Sequence, residues 1–372
     1  MQIQTLSFGL VPPELELTRA LPTRCEIRDE NVWQSYDQTT LFYDVVHCSQ
    51  SGLVKVFMPK LFNLKHAFLA SSFLFDDTPI KIHRLIEGRQ FDVAVFKVVS
   101  KPNIFRVVMS KNAEVTARVN TRDTTISDAN ILFTMSKDNP LEWIKDWAQF
   151  HVRQHGTDTI VIIDNDSDTY NLEDILECLS SINNLKHIRI LNAPLPFGPS
   201  QGDCTHWSLA KFLQVAMLNL GFWRFGMRNS VFLNLDVDEL LMSRKDNSIY
   251  DKIRQKPFGY MTFPGEWYYA TDRGQRPMHS DHFLYCTDDK PCPTKYAIHT
   301  DSILSKLALK VHNLNYIDRR FFKSKDDFYF LHCRQISTSW KYDRSSGNTK
   351  HLQENTWARN KLEIALNQTS SQ

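Results

Sequence analysis

No stretch of this chain approaches the ~18–20 consecutive apolar residues of a membrane-spanning helix. The first twenty residues, MQIQTLSFGLVPPELELTRA, carry no basic stretch followed by an apolar core, so no secretory leader is expected. The protein is therefore read as cytoplasmic, with membrane contact at most peripheral. Excess charge is also missing: 44 basic side chains face 42 acidic ones, a net of +2. Nothing there supports a nucleic-acid partner, which would demand a concentrated basic patch. Cysteine is present seven times, an odd number, at spacings that fit no zinc site. Cys286 and Cys292 would close a short loop if oxidised, but reduced thiols are the expected state in a cytosolic protein. No internal repeat and no low-complexity segment is present.

What is there is length, an ordinary apolar content and a wealth of aromatic residues. The 372 residues, 42% of them hydrophobic, suffice for two to three domains. Residues 1–125 read as a β-rich accessory domain, with strands over Leu41–Cys48, Leu53–Met58, Phe91–Val99 and Ile104–Ser110 broken by Ser-Gln-Ser-Gly and Lys-Pro-Asn turns. No catalytic constellation stands out in it. The polar stretch Thr121–Ala129 marks a boundary.

Beyond it strands and helices alternate. Ile131–Met135 is a short apolar strand, and Asn139-Pro140-Leu141-Glu142 has the form of a helix start with a capping box. Leu141, Ile144, Trp147 and His151 follow at helical spacing, and Gly156 ends the helix. Thr159–Ile163 is continuously apolar, as a strand buried on both faces should be. A second helix is expected over Asn171–Ile182 and a third strand over His187–Leu191. Asp203 is expected to cap a third helix carrying Trp207, Ala210, Leu213, Met217 and Leu220 on one face. The alternation predicts a mostly parallel, doubly wound α/β sheet over residues 126–345, followed by a C-terminal helix and tail, 346–372.

Ligands of such sheets gather at the carboxyl ends of the strands. Three polar clusters fall there: Ser136-Lys137-Asp138-Asn139, Asp164-Asn165-Asp166-Ser167-Asp168 and Asp236-Val237-Asp238-Glu239. D-x-D occurs three times, at Asp164/Asp166, Asp166/Asp168 and Asp236/Asp238. Only the last follows the buried run Val231–Leu235, and acids at the end of a buried strand need a positive partner. A divalent ion that carries substrate phosphates is the natural one.

These marks resemble a known group. The run ILFTMSKDNPLEWIKDWAQFHVRQHGTDTIVIIDNDS, then NLDVDELL, then VHNL and YFLHCRQ, is similar to the GT-A glycosyltransferases of the family 2 and family 92 kind. The resemblance covers about residues 129–345 and implies a GT-A, Rossmann-like fold. It implies that Asp236 and Asp238 hold Mn²⁺ or Mg²⁺ across the diphosphate of a nucleotide sugar, with His332 as a third ligand. Asp164, Asn165 and Ser167 would meet the nucleoside, a uridine by preference, and Lys137 and Lys295 the diphosphate or base. The donor's hexose would pass to a glycan or lipid-linked glycan acceptor, as in surface polysaccharide or glycan synthesis. The "ED" base motif of many inverting family 2 enzymes is absent. The base of an inverting reaction is therefore sought at Glu266, Asp272 or Asp281, with Glu266 preferred because aromatic residues flank it. His312 is a further, weaker ligand candidate. Two rivals remain: another phosphate enzyme, such as a sugar nucleotidyltransferase or D-x-D phosphatase, and a non-catalytic glycan-binding protein. The first usually needs a glycine-rich phosphate loop, and Ser136–Asn139 contains no glycine.

Overall fold

The computed structural model describes residues 1–272, 274–324, 327–336 and 351–366. Residues 346–350 and 367–372 of the expected C-terminal helix and tail lie outside them. The chain divides into two compact units. One comprises Met1–Gln4, Thr125–Asn192 and Gly226–Gln372; the other comprises Thr5–Thr124 and Ala193–Phe225.

The first unit is built on a large mixed sheet. His187–Asn192, Thr159–Asp164, Asn130–Ser136 and Val231–Asn234 lie side by side in that order and run parallel. Every residue of Thr159–Asp164 is buried, which explains its unbroken apolar run. The register aligns Ser136 with Asp164, so both strands end at the same level. Past Val231–Asn234 the direction reverses: Cys292–His299, Tyr260–Ala270 and His282–Tyr285 follow as antiparallel neighbours. The expectation of a mostly parallel sheet thus holds for one half alone. Phe328–Cys333 joins Tyr260–Ala270 in parallel and carries Glu239–Ser243 antiparallel on its other edge.

The helix Leu141–His155 ends as expected, with Gly156 at φ 70° donating its N–H to Val152 O. Its start differs. Pro140 is the cap residue, and Asn139 turns away to donate its amide to Ser136 Oγ at 2.8 Å, so the capping box does not form. A true capping box opens Leu172–Ser180, where Asn171 and Asp174 exchange hydrogen bonds with each other's backbone.

The third expected helix is the main departure. It spans Leu213–Phe225, ten residues beyond Asp203, and groups with the second unit. Asp203 instead accepts a hydrogen bond from the Ser200 backbone. The apolar spacing was real, but spacing alone does not say which core a helix joins.

That second unit contains a five-stranded sheet, centred on Asp44–Cys48, Leu53–Pro59 and Phe91–Lys97, and a four-stranded one containing Ile104–Ser110. Phe73, Phe75, Phe96 and Phe105 interlock in its core with ring centroids 5.0–6.3 Å apart. The expected Leu41–Cys48 strand is interrupted at Tyr43 into Thr40–Phe42 and Asp44–Cys48. Buried Asp44 is held there by Arg224 at 2.8 Å and by Asn120 at 2.7 Å.

No helix among the described residues is long and apolar enough to cross a membrane. All seven cysteines are free thiols, so Cys286 and Cys292 close no loop.

Candidate functional site

The Val231–Asn234 strand is wholly buried and delivers the chain to a tight acidic turn. Asp236 N–H donates to Glu239 Oε2 at 2.8 Å, and Glu239 N–H donates back to Asp236 O at 3.0 Å. This reciprocal pair turns the chain directly into Glu239–Ser243. The antiparallel register then sets Glu239 opposite His332. Cys333 N–H donates to Asp238 O at 2.8 Å and fixes the turn from the other strand.

Three donor groups converge at that point. His332 Nε2 lies 3.0 Å from Asp238 Oδ2, and ligand atoms of Asp238, Glu239 and His332 all lie within 4.8 Å of one another. Trp267 stacks flat on the His332 imidazole, with centroids 4.1 Å apart and planes 20° apart. The indole fixes the ring plane, which a metal ligand requires.

Asp236, expected as a ligand, shares a cation with Glu239. Lys295, expected at a phosphate, is buried and sits 3.1 Å from Asp236 Oδ2 and 3.0 Å from Glu239 Oε2. Burial opposes the charge of this amine, but the two carboxylates outweigh it and hold its pKa above the usual lysine value. Burial also raises the Glu239 carboxyl, against the pull of Lys295, with Asp236 and Asp238 adding to the rise. Three carboxylates against one ammonium leave two negative charges unbalanced when all are ionised, which matches one divalent cation. Two carboxylate oxygens and an imidazole could hold a divalent ion, with further positions left to water or phosphate. The donor set therefore fits such an ion, with Glu239 in the place expected for Asp236.

Buried histidines brace the turn. His279 Nε2 donates to Val237 O at 2.8 Å, one residue before Asp238, while its Nδ1 faces Asp146 at 3.8 Å. His151 and His155, one turn apart on Leu141–His155, grip a single residue of the Glu239–Ser243 strand. Leu241 N–H donates to His151 Nε2 at 3.2 Å, and His155 Nε2 donates to Leu241 O at 2.7 Å. The two imidazoles stand where a neighbouring strand would otherwise satisfy the backbone. Sequence reading treated His151 as part of a helix face and missed this role; its i, i+4 spacing to His155 was the available signal.

The nucleoside candidates lie two strands away, about 10 Å across the sheet. Asp164 accepts from Ser167 Oγ at 2.7 Å and from Ser167 N–H at 2.9 Å. Burial raises its carboxyl, and the Ser167 bonds work against that rise. Lys137 pins the same loop, donating to the Asn165 and Asp166 carbonyls, and is 3.9 Å from Asp168. This loop is built into a defined shape by its own polar groups.

The three base candidates do not converge on the cluster. Trp267 pairs with His332, which pairs with Glu239; Glu266 pairs with Leu331, which pairs with Leu240. Paired residues share a face and successive residues alternate, so Glu266 points to the opposite face from the donor groups. Asp272 is exposed and caps a turn through Gly274 N–H. Asp281 is buried and accepts from Met278 N–H at 2.9 Å. His312 is tied to Thr294, each side chain bonding the other's carbonyl, at 3.1 and 2.9 Å.

No family model matches the chain, and no curated protein matches it.

Proposed function

We propose that this chain is a metal-dependent glycosyltransferase. It would move a hexose from a nucleotide diphosphate sugar to a glycan or lipid-linked glycan acceptor. The observation that carries the reading is the Asp238–Glu239–His332 group at the carboxyl end of the Val231–Asn234 strand, with Asp164 and Ser136 ending parallel strands of the same sheet.

Asp238, Glu239 and His332 would hold the ion, Mn²⁺ or Mg²⁺, which would supply Lewis-acid stabilisation of the leaving diphosphate. The chain's own residues do the rest. Lys295 keeps Asp236 and Glu239 from repelling each other and fixes the Glu239 oxygen next to the site. Trp267 holds the His332 plane, and His279 holds the Val237 carbonyl, so the ligands are set before substrate arrives. The Asp164–Ser167 loop offers a polar rim at the distance a nucleoside spans from its diphosphate. No general base is assigned, because none of Glu266, Asp272 and Asp281 is delivered to the cluster.

Asp238→Ala should abolish Mn²⁺-dependent thermal stabilisation by uridine diphosphate and nucleotide-sugar turnover. A stabilisation equal to that of the unmodified chain would remove the assignment.

A further inference from the structure

A cavity of about 460 Å³ borders the Tyr260–Ala270 and Phe328–Cys333 strands, lined by Glu266 and Tyr329 from one face and by Gly265, Trp267 and Phe328 from the other. Glu266 and Tyr329 reach it from two strands and Arg244 from the turn after Glu239–Ser243, and Tyr285, Lys290 and Lys323 also line it. Tyr329 and Arg244 form a stacked pair, the guanidinium 4.3 Å above the ring. Among the described residues no hydrogen bond or ion pair engages the Glu266 carboxylate, although it stands in a cavity. Asp289, the other acid there, already accepts from Tyr269 at 2.7 Å.

The lining selects among ligand classes. Cations alone would suit a polyanion, but Glu266 opposes one. Aromatic walls alone would suit an apolar ligand, but Arg244, Lys290, Lys323 and Glu266 would be desolvated without compensation. A sugar ring satisfies both sets at once. Its hydroxyls donate to a carboxylate and accept from a guanidinium or ammonium, while its C–H face packs on an aromatic ring. The volume lies within the range of small-ligand pockets.

We propose that this cavity is a second, metal-independent binding site that holds a sugar unit of the acceptor away from the reacting end. The choice of a saccharide rests on the glycosyltransferase reading. None of Asp238, Glu239 and His332 lines it. Trp267, which stacks on His332, also borders this cavity.

The test uses the full chain without metal or nucleotide. Maltose, cellobiose, lactose and N,N′-diacetylchitobiose are titrated at millimolar concentration by saturation-transfer NMR and calorimetry. At least one should bind, and Glu266→Gln and Arg244→Ala should each weaken it about tenfold. Both side chains are exposed, so the variants should keep the unmodified thermal midpoint. Both should also keep Mn²⁺-dependent uridine diphosphate binding. The proposal falls if none of the four disaccharides binds, or if both variants bind as tightly as the unmodified chain. Sugar binding that persists in a chain with no metal-dependent nucleotide affinity would overturn the glycosyltransferase reading and leave this site standing.

Discussion

The grip of His151 and His155 on Leu241 makes a quantitative claim about acid. Each ring must be neutral, with its proton on a defined nitrogen. His151 Nε2 accepts from Leu241 N–H, so its proton is on Nδ1, where it is donated to Trp147 O at 2.7 Å. His155 has the reverse tautomer: Nε2 donates to Leu241 O, and Nδ1 accepts from Ile249 N–H at 3.4 Å. Protonating either ring turns its acceptor nitrogen into a donor facing another N–H. Burial pushes His155 down to about 4 from 6.5, and burial with neighbouring His155 pushes His151 well below its usual value.

The sign follows. Between pH 6.5 and about 4 the unfolded chain binds a proton at position 155 that the native chain refuses, so stability falls as pH falls. The loss begins near 6.5, reaches about 2 kcal/mol at pH 5 and levels off near 3 kcal/mol below pH 4. Buried carboxyls such as Glu239 titrate in the opposite sense and would mask it in a single profile. A difference between two chains removes them. His155→Gln keeps an amide donor for Leu241 O but does not titrate. At pH 7.5 it should be less stable by about 1–2 kcal/mol, having lost packing and the Ile249 bond. By pH 5 that gap should close or reverse. Urea unfolding followed by tryptophan fluorescence at pH 7.5, 6.5, 5.5 and 5.0 measures it. A gap that stays constant to within about 0.5 kcal/mol over that range would show that His155 is not held neutral, and the two-imidazole grip would be wrong.

Two further substitutions probe each unit separately. Arg224→Leu leaves the wholly buried Asp44 carboxylate without its cation, and urea unfolding should show a loss of about 3–5 kcal/mol. The added change Asp44→Asn should recover part of that, and no recovery would mean that packing by the arginine stem dominates. Gly265→Ala sets a methyl 2.1 Å from the Phe330 ring, beside the His332 strand. A cost of about 1–3 kcal/mol is expected. An unchanged thermal midpoint would show that Phe330 moves aside freely.

What was legible in the sequence is what local pattern encodes. The buried run Thr159–Ile163, the capped helix after Asn171, the stop at Gly156 and the acids following Val231–Leu235 each carry their signal within a few residues. What was not legible has one cause, which is pairing between distant segments. Lys295 is read as a phosphate contact until Cys292–His299 is laid antiparallel against Val231–Asn234, which brings its amine onto Asp236 and Glu239. With that cation in place, Asp236 and Glu239 are both its partners, and Glu239 also comes together with Asp238 and His332. Glu266 is turned away from the donor group for a related reason. Its neighbours in sequence are aromatic whichever way it points, but only the pairing of Trp267 with His332 fixes its direction. A shift of one residue in that register would bring Glu266 to the cluster and turn Trp267 away, because side chains alternate with a period of two. The stacked Trp267–His332 pair therefore marks the register that fixes which acidic side chain shares the face of the donor group.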